Sequence, residues 1–311
     1  MSLVVSDLTK KYGDKTVVDH LSFSIERPGV FALLGTNGAG KSTSIRMMLG
    51  MLSKNEGTVI WKGQALDSIN ASVGYLAEER GLYPKYNLMD QLLYFAKLKN
   101  IPKKEAQARI REYAKKLNVE MYLYPQPVAK GKKAKPYKAE QLSKGNQQKI
   151  QLLAALISDP ELLILDEPLS GLDPVNADVF KELIREEIAK GKYIIMSSHQ
   201  MSTIEEFCED IVILNKGKTV LQGNLNEIKK SYGRVNLLVK CEGNIEPMIE
   251  ELGLQLVNKT PSEYHIKVTK EEEATLLLEK IMKAKLPVIK FEIREPSLHE
   301  IFVEKVGQEV K

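Results

Sequence analysis

Gly35-Thr36-Asn37-Gly38-Ala39-Gly40-Lys41-Ser42-Thr43 matches the spacing GxxxxGKS, a pattern suited to phosphate. Its glycines let backbone N–H groups curl around phosphate oxygens with no Cβ in the way, and a helix N-terminus adds a favourable partial charge. In that arrangement Lys41 reaches the β and γ phosphates and the Ser42 hydroxyl ligates Mg²⁺. The alternative is a glycine-rich turn that binds nothing. Context favours the phosphate loop, because an apolar run precedes it and a helical pattern follows. A second group stands in LLILDEP. Asp166, ending an apolar strand, would hold Mg²⁺ directly or through water, and Glu167 is the better candidate for the base that orients and polarises an attacking water. Two adjacent acids at a strand end fit a solvated helix cap equally well when taken alone. Paired with the phosphate loop, the site reading dominates.

These residues need a scaffold, and the hydrophobic pattern supplies one. LVVSDLTKKYG and VVDHLSFSIE are β-rich, and GVFALLG is a short buried strand. Residues 41–52 read as a helix, 73–76 as a strand, and 88–117 as mostly helical. From 122 to 138 the pattern breaks down around Pro125, Pro127 and Pro136 and the lysines at 130, 132, 133, 135 and 138. QQKIQLLAALI reads as a helix, LLILDEP as a strand, 176–190 as a helix, YIIMSS as a strand, 202–208 as a helix and DIVILNKG as a strand. Strands alternating with helices predict a largely parallel sheet covered on both faces. Beyond Gly223 the order is strand 235–240, helix 246–252, strands 254–257 and 264–268, helix 270–283 and strand 287–293. That is the split βαβ of ferredoxin-like α+β domains. A closing helix is expected from Glu295, with Ser297 and Glu300 as a capping box.

Composition narrows the class. The 311 residues carry a formal net charge of +4 and are 43% hydrophobic, which excludes a disulfide scaffold and, over most of the chain, disorder. Cys208 and Cys241 are the only cysteines; neither has metal-ligand spacing, and both read as reduced thiols. The N-terminus lacks signal-peptide order, and no apolar run approaches the ~20 residues of a membrane-spanning helix. The chain is therefore expected not to cross a membrane itself.

Several further motifs make sense together. Leu142-Ser143-Lys144-Gly145-Asn146, Ser170-Gly171-Leu172-Asp173, His199 in MSSHQ and Tyr12 follow in order, and over about residues 1–222 the chain resembles the ATP-binding subunit of an ABC transporter. The resemblance implies an ABC-type α/β nucleotide-binding domain over 1–222, built from a phosphate-loop core sheet, an antiparallel β subdomain and a helical subdomain at about 85–160. A small accessory domain follows at 223–311. It implies that residues 35–43 bind ATP as the Walker A loop, that Tyr12 stacks on adenine, and that Ser143, Lys144, Gly145 and Asn146 form the signature. Ser143 and the Gly145 N–H would meet the γ-phosphate held by a second copy, Asp173 would contact that copy, and His199 would hold the attacking water in register. Glu167, His199 and Lys41 become the catalytic set, with Mg²⁺ on Ser42, Asp166 and Glu78. Partners are then a transmembrane permease subunit and a second ATP-binding subunit, homodimeric or related, at the cytoplasmic face of the cell membrane. No nucleic acid is expected.

Two departures stand out. Glu78 replaces the family's glutamine after the strand near 76; its carboxylate can ligate Mg²⁺ but adds negative charge beside the triphosphate. Lys144 and Asn146 replace a glycine and a glutamine in the signature, while Ser143 and Gly145 are kept. Glu78-Glu79-Arg80-Gly81-Leu82-Tyr83, LSKGNQQK and EPSLHEIFVE resemble an exporter-type branch that includes sodium-efflux and drug-export relatives. The lysine-rich stretch from Lys130 to Lys138 reads as a solvated loop or, more sharply, as a contact for anionic lipid headgroups or an acidic partner. Two alternatives remain open at this point: a soluble ATPase of the superfamily acting on ribosomes or DNA, and an inactive nucleotide-binding regulator.

Overall fold

The computed structural model describes residues 2–66, 72–79, 81–127, 135–206, 208–261 and 263–308. Lysines 130, 132 and 133 of the lysine-rich stretch, and Arg80, lie outside them. The chain divides into two compact units, Met1–Gln200 with Glu206–Gln222, and Met201–Glu205 with Gly223–Lys311.

In the first unit, β1 (Leu3–Tyr12) and β2 (Lys15–Ile25) form a hairpin, and β3 (Gly29–Gly35) runs into α1 (Lys41–Met48). Next come β4 (Glu56–Trp61), β5 (Gln64–Ala65) and β6 (Val73–Leu76). Four helices follow: α2 (Leu88–Leu98), α3 (Lys103–Lys116), α4 (Glu120–Leu123) and α5 (Lys144–Leu156). The unit continues through β7 (Leu162–Asp166), α6 (Pro174–Ala189), β8 (Tyr193–Ser198), β9 (Asp210–Asn215) and β10 (Lys218–Asn224). The antiparallel sheet has order β2-β1-β4-β5, and the larger sheet has order β10-β9-β3-β8-β7-β6. Within the larger sheet β9, β3, β8, β7 and β6 pair in parallel, so these strands end at one edge. Every residue of β7 is buried, which explains its unbroken apolar run. The Phe23 ring of β2 stacks on Phe31 of β3 at 4.5 Å, joining the two sheets in one core with Ile45 and Met48 of α1.

A buried ion cluster ties α3 to α6. The Tyr113 hydroxyl donates to Glu187 at 3.1 Å, while Lys190 and Lys192 reach the same carboxylate at 2.6 and 2.7 Å. Lys192 also pairs with Asp159 at 2.6 Å. Burial opposes ionisation of Glu187, yet the two lysines hold its carboxyl below the usual range.

In the second unit, α7 (Met201–Ile204) accompanies α8 (Leu225–Tyr232), β11 (Asn236–Cys241), α9 (Glu246–Glu251), β12 (Gln255–Lys259), β13 (Tyr264–Lys267), α10 (Glu271–Lys283), β14 (Val288–Arg294) and α11 (Leu298–Gln308). Its sheet order, β12-β13-β11-β14 with antiparallel pairs throughout, is the ferredoxin-like arrangement. Leu237, Val239, Ile266, Leu277 and Ile281 fill its core.

The expected elements differ from the observed ones in places. The first helix stops at Met48 rather than 52, and the helix expected over 202–208 is the single turn α7. The closing helix begins at Leu298, not Glu295, because the reciprocal Ser297–Glu300 bonds make Ser297 its cap. Strands β4, β5 and β10 and helices α4 and α8 have no counterpart among the expected elements. Asn224 caps α8 by accepting from the N–H groups of Asn226 and Glu227, a signal present in the sequence.

Removing the Glu187 carboxylate leaves Lys192, only 7% exposed, with Asp159 alone. Glu187→Ala should cost about 3 kcal/mol, at the low end for a broken buried pair because Asp159 remains. Denaturant unfolding measures this. The carboxylate's contribution should be complete above pH ~4.3 and fade as pH falls through the lower folded value.

Candidate functional site

The order β3-β8-β7 and its register assemble the site. Leu34 pairs with Ser198 and Asp166 with Ser197, so the loop after β3, His199 after β8 and Glu167 after β7 emerge side by side at the carboxyl edge of the sheet. Open α/β sheets bind ligands at that edge.

The loop conformation requires glycine at both ends of the motif. Gly35 has φ 150°, and a Cβ there would lie 2.4 Å from the Leu214 carbonyl oxygen; Gly40 has φ 107°, and its Cβ would lie 2.8 Å from the Val17 carbonyl oxygen. Gly40 is also the residue that caps α1. The turn therefore lies against β9 and β2 while its amides lead into the helix N-terminus.

Lys41 is buried within this turn. Its ammonium donates to the Gly35 and Thr36 carbonyl oxygens at 2.8 and 3.2 Å and pairs with Glu167 Oε1 at 3.1 Å. The two side chains are 6% and 4% exposed, so neither charge has water as an alternative partner. The other oxygen of Glu167 meets His199 Nδ1 at 2.8 Å. Glu167 itself has φ 50°, a region that non-glycine residues occupy at a cost of order 1 kcal/mol. What holds it there is Ser197, whose Oγ accepts the Glu167 N–H at 2.9 Å and donates to Asp166 Oδ1 at 2.5 Å.

Asp166 is fully buried, and burial pushes its carboxyl up, opposed by the Ser197 hydrogen bond and the nearby Ser42 hydroxyl. Its Oδ2 has no hydrogen-bond partner. A buried, unpartnered carboxylate oxygen beside the Ser42 hydroxyl suits a hard cation such as Mg²⁺, which takes one or two carboxylates and completes its shell with water and phosphate. Among the described residues no cluster of three or more His, Cys, Asp or Glu forms a protein-only metal cage, and that coordination habit needs none. Glu78, just past β6, accepts from Ser42 Oγ at 3.4 Å. A cavity of about 230 Å³ is lined by Asn37, Gly38, Lys41, Ser42, Glu78 and Glu167, among others. The residue types fit phosphate and its cation.

The signature residues stand elsewhere. Ser143 caps α5 and accepts the Asn146 N–H at 3.3 Å, and Asn146 donates from its side chain to the Tyr122 hydroxyl at 2.9 Å. The Lys144 ammonium lies over Gly171, and Gly145 packs near Leu172 and Asn176. None of the four lines the phosphate cavity. Asp173 caps α6, with the Asn176 backbone N–H and side-chain amide at 3.0 and 2.5 Å, and these bonds hold its carboxyl below the usual range. Tyr12 is 54% exposed, with the Lys10 ammonium 4.9 Å from its ring centroid. Two residues escaped sequence reasoning. Ser197 was read only as part of a strand, because the register of β7 on β8, not any local motif, brings its hydroxyl to the two acids. Gln148, buried on α5, donates to the carbonyls of Glu167 and Pro168 at 3.3 and 2.6 Å; nothing distinguished it within QQK.

Comparison with known proteins adds the following. A family model described as "ABC transporter" matches residues 18–170, and one described as "ATP-binding protein DrrA1-3-like, C-terminal domain" matches 223–306. The chain is 42% identical over 306 residues to the ABC transporter ATP-binding protein YhaQ of Bacillus subtilis, covering 98% of both chains. It is 32% identical over 230 residues to the Nod factor export ATP-binding protein I of Ralstonia nicotianae, covering 73% of this chain and 68% of that one. A solved ATP-binding subunit of an ABC transporter aligns at TM-score 0.65 and 28% identity, over 75% of this chain and 94% of the other.

Ser197→Ala removes one bond to a carboxylate and one to the strained Glu167 backbone. It should destabilise the chain by about 2 kcal/mol, and Ser198→Ala, whose hydroxyl accepts the Gln200 N–H and touches neither acid's backbone, by less. Thermal unfolding of both variants checks the order.

Proposed function

The chain belongs to the family of ABC transporter ATP-binding proteins, and from that premise we propose that it hydrolyses ATP to ADP and phosphate to power export through a separate transmembrane subunit. The observation that carries the hydrolytic reading is the Glu167 carboxylate, held between Lys41 at 3.1 Å and His199 at 2.8 Å.

In this reading the triphosphate takes Lys41 from Glu167. The loop amides and Lys41 then hold the β and γ phosphates, freeing a Glu167 oxygen to orient water for attack on the γ-phosphorus. The bond to ADP breaks as the bond to water forms, and the water proton passes towards Glu167. His199 keeps the carboxylate aimed. Ser42, Asp166 and Glu78 would hold Mg²⁺, which supplies charge compensation at the phosphate oxygens. Tyr12 would stack on adenine.

Because Ser143, Lys144, Gly145 and Asn146 lie outside the cavity of their own chain, we read them as meeting the phosphates of a second copy, with Asp173 at that contact. ATP would then favour a closed pair, and hydrolysis would reopen it. For the permease, the supporting feature is an apolar cleft of about 560 Å³ lined by Met51, Tyr75, Leu82, Phe95 and Leu98, among others, with Tyr83 and Tyr86 exposed nearby. Among the described residues no helix is long and apolar enough to cross a membrane, so the span would come from that partner. Attachment at the cytoplasmic face follows from this reading, and export is supported by the name of the Ralstonia relative. Residues 223–311 we take as an accessory domain for dimer contact or regulation, next to an ATPase domain over 1–222. Action on ribosomes or DNA is not favoured by these relatives, and the intact Lys41–Glu167–His199 arrangement weighs against an inactive regulator.

Glu167→Gln should keep Mg²⁺–ATP binding within a few-fold and lower turnover by roughly 100-fold or more, leaving a persistent ATP-bound dimer. Phosphate release and light scattering read the two effects. Turnover at the wild-type rate would remove Glu167 from the mechanism.

A further inference from the structure

Among the described residues, the cradle gathers more negative charge than Lys41 balances. Glu78, Asp166 and Glu167 stand around it, and Lys41 is already paired with Glu167. Glu78 is exposed, lines the same cavity as Lys41 and meets Ser42 Oγ at 3.4 Å. A triphosphate seated with its terminal phosphates at Ser42 would bring several negative charges close to this carboxylate. A neutral amide of the same shape would impose no such repulsion.

We propose that Glu78 makes nucleotide binding favour the divalent-cation complex, so that the cradle discriminates by charge against the bare triphosphate. The inference rests on reading the cradle as an ATP site and concerns its selectivity for the form of the nucleotide. A hard cation accepts oxygen from carboxylate, hydroxyl and phosphate alike. With the cation present, Glu78 changes from a repelling charge to a partner, or at least faces a neutralised phosphate. Without it, one full carboxylate charge lining the same cavity, in a medium between protein and water, opposes binding by roughly tenfold. The carboxylate thereby discriminates by charge alone, with no change in cavity shape.

Calorimetric titration of ATP into the full-length chain, in Mg²⁺ and in EDTA at low ionic strength, tests this. Glu78→Gln should tighten metal-free ATP binding by about tenfold and leave binding in Mg²⁺ unchanged or weaker. Glu78→Ala, the second charge-removing variant, should also tighten metal-free binding. Glu79→Gln removes an equal charge one residue away, outside the cavity lining, and should keep the wild-type ratio of the two affinities. The proposal is overturned if the charge-removing variants at 78 keep the wild-type ratio, or if Glu79→Gln changes it equally. A wild-type chain that fails to bind ATP even in Mg²⁺ would instead defeat the ATP-site reading itself.

Discussion

A buried ammonium must be surrounded by oxygen, and the structure around Lys41 is arranged to meet that requirement. Isolated burial of such a charge is prohibitive, and a pair survives only with good geometry and extra hydrogen bonds. Lys41 has both: carbonyls from Gly35 and Thr36 and the Glu167 carboxylate. Those three partners come from the ends of β3 and β7. Because β8 lies between these strands in the parallel sheet, its end delivers His199 and Ser197 to the same place. The close-packed glycines at 35 and 40 and the left-handed backbone of Glu167 shape that edge around the one ammonium.

The same arrangement defines what a ligand must do. Under the proposed function, a triphosphate would enter by offering Lys41 better oxygens than Glu167 does, and would thereby free the carboxylate proposed as the base. Binding and activation would then be one exchange of partners. Helix α5 touches this region through Gln148, which bonds the carbonyls of Glu167 and Pro168, and the turn just before it, at the start of the same helix, carries Ser143 and Gly145. A displacement of Glu167 is therefore mechanically connected to the residues proposed to meet a second copy.

Much of this was legible in the sequence because it is local. The loop 35–43 and the pair Asp166–Glu167 are contiguous, and periodicity fixed β6, β7 and β8 closely. The ferredoxin-like order of the second unit was readable because each of its elements carries its own period. Less legible were features decided by distant contacts. Strand β10 is half exposed at a sheet edge and has little apolar pattern to announce it. Ser197 gained its role only when the register placed it opposite Asp166. The Tyr113–Glu187–Lys192 cluster joins residues far apart in sequence, and such a cluster has no motif. Asp173 shows the reverse: its helix-capping bonds are signalled by the string Asp-Pro-Val-Asn, whereas the family resemblance implies only a contact with a second copy.

The central claim is that Lys41 exchanges its Glu167 partner for a triphosphate. Calorimetric titration of Mg²⁺–ATP into the wild-type chain and Lys41→Ala tests it most directly. The account predicts one nucleotide bound per wild-type chain and an affinity loss of roughly 100-fold in the variant, the scale of a lost charge-assisted phosphate contact. Equal affinity in the two proteins would contradict it.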